Sequence, residues 1–367
     1  MTNERVIESA QIVLPCTDPV STTIAFFTGI GFKVRTIVPA DHPRMVVLSG
    51  HGLTLRLEVG ADVAAGRLRL LCADGDPVEM VAPNGTVVEF APAHPPMNLP
   101  PLQERFVVTR MPRGEGDASF GEGRSGMRYR DLIPDRLGGR FIASHILIPD
   151  GGPVGDYVHF HNIRFQMIYC YRGWVKVAYE DQGEPMLLTE GDCFLQPSTI
   201  RHRVLEASDR MQVIEVGCPA EHETWGDPEM TLPTGRSLPD RGYGPDGHRF
   251  VFHQASHASW APWRVGGYEY RDTGIGAAMD GVAGCRVVRP VGAPAPATTS
   301  HSAEFVFTFV LDGGLTLQRE GDEPMRLDEG DSFVVPAHTN YTLSDPTSNL
   351  QLLDVTLPAD VPAPIER

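Results

Sequence analysis

The chain has 367 residues, with 31 Lys and Arg against 47 Asp and Glu, for a net charge of −16 at neutral pH. Nucleic acids and anionic membranes bind positive surfaces, so this balance argues against both as partners and leaves small molecules or other proteins. The length suits two or three domains, and 38 glycines with 32 prolines suit many short strands joined by turns.

The opening MTNERVIESA has neither the basic segment nor the apolar core of a secretion signal. No apolar run approaches membrane-spanning length, so a cytoplasmic protein is expected. Six scattered cysteines without a CxxC pair read as buried, reduced thiols. Residues 1–91 suggest a βαβββ unit: VIESAQIVLPCTDP as a strand, and VSTTIAFFTGIG as a helix that Asp18 or Ser21 could cap and that ends at a Gly-x-Gly. MVVLSG, LTLRLEV and TVVEFAP follow as its remaining strands. A Pro-rich linker spans 92–104.

The rest of the chain is a duplication. EPMLLTEGDCFLQP at 184–197 returns as EPMRLDEGDSFVVP at 323–336, YRD at 129–131 returns at 270–272, and RFVV at 105–108 resembles RFVF at 249–252. Three matches in one order define repeats at 105–230 and 249–367, joined by a Gly- and Pro-rich linker at 231–248. Short β segments such as FIASHILIP and FQMIYCYRGWVKVAYE, with no sustained helical period, predict a mainly β sandwich or barrel for each.

Chemistry concentrates in the first repeat. His159 and His161 stand at i and i+2 of a strand, so their rings share a face. A hairpin at Asn162 would bring Gln166 alongside them, and His202 follows a later Gly-to-Pro strand. Three imidazoles and an amide oxygen converging in a barrel make a plausible site for a divalent first-row metal. Arg164, beside these residues, could bind a substrate carboxylate or be a solvated turn residue. His145 lies on an earlier strand, His253 and His257 read as a loop pair, and HETW at 222–225 could close the barrel's mouth.

GxxxHxHxxxxQxxxxxxG followed by GxxxxxPxxxxH resembles the paired motifs of the cupin superfamily, small β-barrels that hold a metal through two His, a Glu and a last His. The resemblance places His159, His161 and His202 on those histidines and puts Gln166 where Glu is usual. In the second repeat the same positions fall on Thr299, His301, Val306 and Tyr341, so the second barrel is expected to be metal-free. The segments VLPCTDPVSTTIAFFTGIGF and APNGTVVEF resemble one βαβββ module of the vicinal oxygen chelate superfamily, the glyoxalase-like fold. That resemblance offers Gln11 and Glu89 as a possible second metal site, completed by a homodimer.

The fold expected is therefore mainly β: two tandem cupin barrels preceded by a vicinal-oxygen-chelate-like module. The function implied is a metal-dependent oxygenase, with Fe(II) first and Mn, Ni, Cu or Zn as alternatives. It would use dioxygen and a small anionic, chelating organic substrate such as an aromatic or β-dicarbonyl compound. A non-catalytic small-molecule-binding cupin and an oxygen-independent isomerase or decarboxylase are the alternatives. If Gln166 merely completes a neutral metal shell, Gln166→Glu is expected to tighten metal binding.

Overall fold

The structure is a computed structural model that describes residues 7–17, 19–114 and 116–361. The chain divides into two compact units, residues 1–96 and 97–367. Among the described residues the longest helix is Ser21–Gly29, the other α-helical segments have four residues, and strands dominate. No helix there is long and apolar enough to cross a membrane.

In the first unit the βαβββ element is shorter than its sequence suggested. Strand Ile12–Cys16, helix Ser21–Gly29 and strands Lys33–Val38, Met45–Gly50 and Leu53–Val59 form it, with Ile12–Cys16 parallel to Leu53–Val59 and antiparallel pairing elsewhere in the sheet. Strand Lys33–Val38 was not foreseen because exposed residues fill it, leaving no apolar alternation to read. TVVEFAP is not the fourth strand of this element. It supplies Val87–Pro92, the middle strand of a separate three-stranded sheet with Arg67–Cys72 and Val78–Val81. Leu14, Leu55 and Leu57 of one sheet and Leu68, Leu70 and Val88 of the other share one core with Phe27 of the helix.

The helix start also differs from expectation. Val20 is its N-cap, no side chain caps it, and Ile24 N donates to the Val20 carbonyl at 3.0 Å. Ser21 lies inside the helix, and Asp18 lies outside the described residues. At the other end Gly31 adopts φ +99°, a conformation open to glycine at no steric penalty, which lets the chain leave the helix.

In the second unit each repeat forms two sheets around an interior core. The first repeat joins a seven-stranded sheet to a six-stranded one, and the second joins a seven-stranded to a four-stranded one. On strand Phe165–Arg172 the alternation is buried on both faces. Gln166 and Ile168 line the interior cavity, while Met167 and Tyr169 pack outward. That outward layer meets Phe305, Phe307 and Phe309 of the second repeat in a single core, with Phe141 stacked on Phe305 at 4.0 Å between ring centroids. The barrels are therefore fused back to back through their larger sheets.

The repeated motifs are the fastenings of this fusion. Val107–Thr109, in the first repeat, pairs with Ser332–Val334 of the second barrel. Val251–His253, in the second repeat, pairs with Cys193–Leu195 of the first. Each repeat thus lends its opening strand to the other barrel. The aspartate of each EGD turn holds the incoming strand: Asp331 accepts from Met111 N and Asp192 from Ala255 N, both at 2.8 Å. The arginine of each YRD crosses over too, Arg130 donating to the Gly330 carbonyl at 2.9 Å and Arg271 to the Gly191 carbonyl at 3.1 Å.

Candidate metal centre

His159 and His161 lie on strand His159–His161, and His202 opens strand His202–Ala207 directly opposite His159. All three are buried, and their ligand atoms lie within 4.8 Å of one another. Each Nδ1 meets a backbone carbonyl: Tyr157 at 2.7 Å from His159, Glu223 at 3.3 Å from His161 and Ile200 at 3.0 Å from His202. These bonds place the proton on Nδ1 and leave the Nε2 lone pair for a ligand, the arrangement metal-binding histidines need.

Burial keeps these rings neutral. It is the largest influence on each; Arg124 pushes the same way on all three, and neighbouring imidazoles do so on His161 and His202. His161 is lowered to about 3, while His159 is lowered and His202 is pushed well below its usual value. Neutral imidazole is the form that ligates a metal.

Gln166 reaches the site differently from the expected hairpin. Strand Phe165–Arg172 belongs to the seven-stranded sheet and His159–His161 to the six-stranded one, so the turn at Asn162 carries the chain between sheets. Gln166 faces the histidines across the cavity. Its Nε2 donates to Glu215 at 2.8 Å, which fixes the amide orientation, and its Oε1 is buried without a hydrogen-bond partner. An orphaned amide oxygen on the same cavity as three clustered imidazoles fits a divalent cation, which at His159 would take the place of the Arg124 hydrogen bond.

Sequence reasoning missed three charged residues here. Arg124 donates to the His159 Nε2 at 2.7 Å and to Asp156 at 2.6 Å. The Asp156 side chain is fully buried and accepts from Val204 N at 3.0 Å. Glu215 lines the cavity from strand Met211–Cys218. Asp156 stands three residues before His159, a position the motif leaves open. Arg124 comes from a Gly-rich turn more than thirty residues upstream, with no local signal to find it.

Other expectations are corrected or placed. Arg164 does not face the cavity: its guanidinium pairs with Glu304 of the second barrel at 3.1 Å, and Arg140 pairs with the same carboxylate at 2.6 Å. His145 lies between the barrels, bonded to Arg130 at 3.1 Å and Gln212 at 2.8 Å. His253 and His257 lie around a short 3-10 turn, Ala255–His257. Of residues 222–225, His222 and Thr224 border the cavity. Thr224–Gly226 pairs with His159–His161, and the His222 ring stands 5.1 Å from that of His161.

The second barrel uses its remaining histidine structurally. His301 Nε2 meets the Val335 carbonyl at 3.0 Å and Nδ1 accepts from Ala303 N at 3.2 Å, so neither nitrogen is free. Within this barrel Arg264 pairs with the buried Asp354 at 3.2 Å. Gln11 and Glu89 are not brought together on one sheet. Gln11 precedes Ile12–Cys16, whereas Glu89 sits in Val87–Pro92 with Arg67 at 3.6 Å and Arg69 at 3.4 Å. A carboxylate flanked by two guanidiniums is a poor start for a cation site.

The triad opens onto a cavity of about 390 Å³, at the small end of sites that enclose an organic ligand. Residues 285–356, in the second repeat, match the family model of the cupin domain. No curated protein matches the chain. Among solved structures it is similar to salicylate 1,2-dioxygenase from Pseudoaminobacter salicylatoxidans, with TM-score 0.52 and 16% identity over 70% of this chain and 82% of that one. It is also similar to protein YlbA from E. coli, with TM-score 0.51 and 14% identity over 74% of this chain and 97% of that one. Together these likenesses show a cupin fold.

Proposed function

We propose that the chain is a bicupin enzyme in which His159, His161 and His202 hold one divalent transition metal, Fe(II) first, for oxygen-dependent conversion of a small anionic, chelating organic substrate. The observation that carries this reading is the buried cluster of three imidazoles, each tied through Nδ1 to a backbone carbonyl and with ligand atoms within 4.8 Å of one another. When bound, such a metal would supply Lewis acidity and a place for dioxygen beside the substrate.

The chain's own residues divide the remaining work. Gln166, held by Glu215, turns its amide oxygen toward the ligand set. Arg124 places a positive charge at His159, where it attracts an anionic substrate group. His222 and Thr224 border the opening. Aliphatic walls exclude water and strengthen every charge interaction inside. Aromatic and β-dicarbonyl compounds are the substrates to try first, and incorporation of label from ¹⁸O₂ into product tests the reading. Glu215, a carboxylate inside the cavity, favours one second reading, an oxygen-independent isomerase or decarboxylase, in which turnover proceeds equally under nitrogen.

The first unit is read as a vicinal-oxygen-chelate-like module that makes the protein a homodimer. Exposed Ile12, Val13, Ile37 and Leu71 on its strands supply apolar surface for association. A cytoplasmic setting accords with cysteines that are all unpaired.

A further inference from the structure

The interior of the first barrel changes character along its length. Strand register ranks its inward-facing side chains. Ser144 and Ile168 lie opposite Glu215, Ile146 and Cys170 lie opposite Val213, and Ile148 lies opposite Met211. On the facing sheet, Tyr179 lies beside His202 and Val177 beside Val204. One end therefore carries the triad with Gln166, Glu215 and Arg124. Four residues further along strand Met211–Cys218, about 13 Å at 3.3 Å per residue, the walls are aliphatic. The cavity reaches this end, where Ile148, Val175, Leu188 and Met211 line it.

We propose that the first barrel selects a mono-anion carrying an apolar body, with the anionic group at the triad and an alkyl or aryl portion against Val175, Leu188 and Met211. This rests on the metal-site reading for the position of the anionic group, but the apolar chamber stands without it. A second carboxylate at the far end of the substrate would sit against Ile148, Val175, Leu188 and Met211, all apolar. Burying such a charge unpaired is prohibitive, so a diacid whose second carboxylate takes the place of the alkyl end is a poor ligand. Leu188, Val175 and Met211 close the aliphatic end and set the length of the body.

The test is calorimetric titration of the full-length protein, metal-free and Zn²⁺-loaded, with acetate, butanoate, hexanoate, 3-phenylpropanoate and adipate, which puts its second carboxylate where hexanoate has its methyl group. From acetate to hexanoate the dissociation constant should fall about fourfold per methylene, the equivalent of about 0.8 kcal/mol per buried CH₂, and adipate should bind no tighter than acetate. Leu188→Trp should lower the hexanoate-to-acetate affinity ratio at least tenfold, and Leu188→Ala should move the optimum to a longer chain. Equal affinities along the wild-type series, or adipate as the tightest ligand, would overturn the proposal even if neither variant folds. A clear chain-length slope without ¹⁸O incorporation removes the oxygenase reading alone, and incorporation with a flat slope removes this one alone.

Discussion

Arg124→Met separates two roles of one guanidinium and should move two measurements in opposite directions. Arg124 donates to the His159 Nε2 at 2.7 Å, the atom a metal would need. That hydrogen bond, from a charged donor, is worth about 1.5–3 kcal/mol and is surrendered whenever the metal binds. Removing it should tighten metal binding roughly ten- to a hundredfold, at about 1.4 kcal/mol per tenfold. The same change strips the buried Asp156 of its cationic partner and leaves the Val204 N–H. Losing a buried partner destabilises by about 3–5 kcal/mol, and because the Arg124 side chain is 32% exposed, the lower end applies. Competition against a chromogenic chelator with Zn²⁺ and Mn²⁺ reads the first effect, and urea unfolding of the metal-free protein reads the second. Adding Asp156→Asn should restore part of the stability. Unchanged or weaker metal affinity in Arg124→Met would refute the view that Arg124 and the metal compete for His159.

Gln166→Glu should tighten metal binding far less than the added charge alone implies, because it sets two carboxylates within the present 2.8 Å contact to Glu215. Gln166→Glu with Glu215→Gln should bind metal more tightly than either parent in the same chelator assay. His145 and His161 are both lowered to about 3, chiefly by burial. Between about pH 6.5 and 3 the unfolded chain therefore binds protons that the folded one does not. Stability of the metal-free protein should fall with pH through that window by about 1.4 kcal/mol per unit for each histidine, and His145→Gln should flatten the urea-unfolding profile. Deleting residues 1–96 should convert a dimer to a monomer in light scattering, and a full-length monomer at micromolar concentration would remove the assembly proposal.

The histidine triad was legible because its signal is local. His159 and His161 sit at a strand's period of two, and the glycines and proline around them mark the turns that bring His202 opposite. The partners that tune the set were not legible, since Arg124 and Glu215 arrive through sheet closure and their neighbours in sequence carry no distinguishing pattern. Arg164 misled for a related reason: proximity in sequence to Gln166 placed it at the site, but it lies in the bend just before strand Phe165–Arg172 and its guanidinium reaches Glu304 instead. The duplication was plain, yet the exchange of opening strands was not. RFVV and RFVF are nearly the same segment, and each EGD turn offers the same aspartate, so either strand suits either barrel locally. Only the back-to-back packing of Phe141 on Phe305 and its neighbours decides the pairing. In the first unit Lys33–Val38 escaped notice because an exposed strand has no apolar period to read.

The metal-site proposal requires one metal per chain, held in the first barrel. Elemental analysis of protein purified without chelator or affinity nickel tests it directly, comparing wild type with His161→Ala and Tyr341→Ala. One equivalent of a first-row transition metal is expected in wild type, none in His161→Ala and one in Tyr341→Ala. Two equivalents in wild type, or a full equivalent retained by His161→Ala, would contradict it.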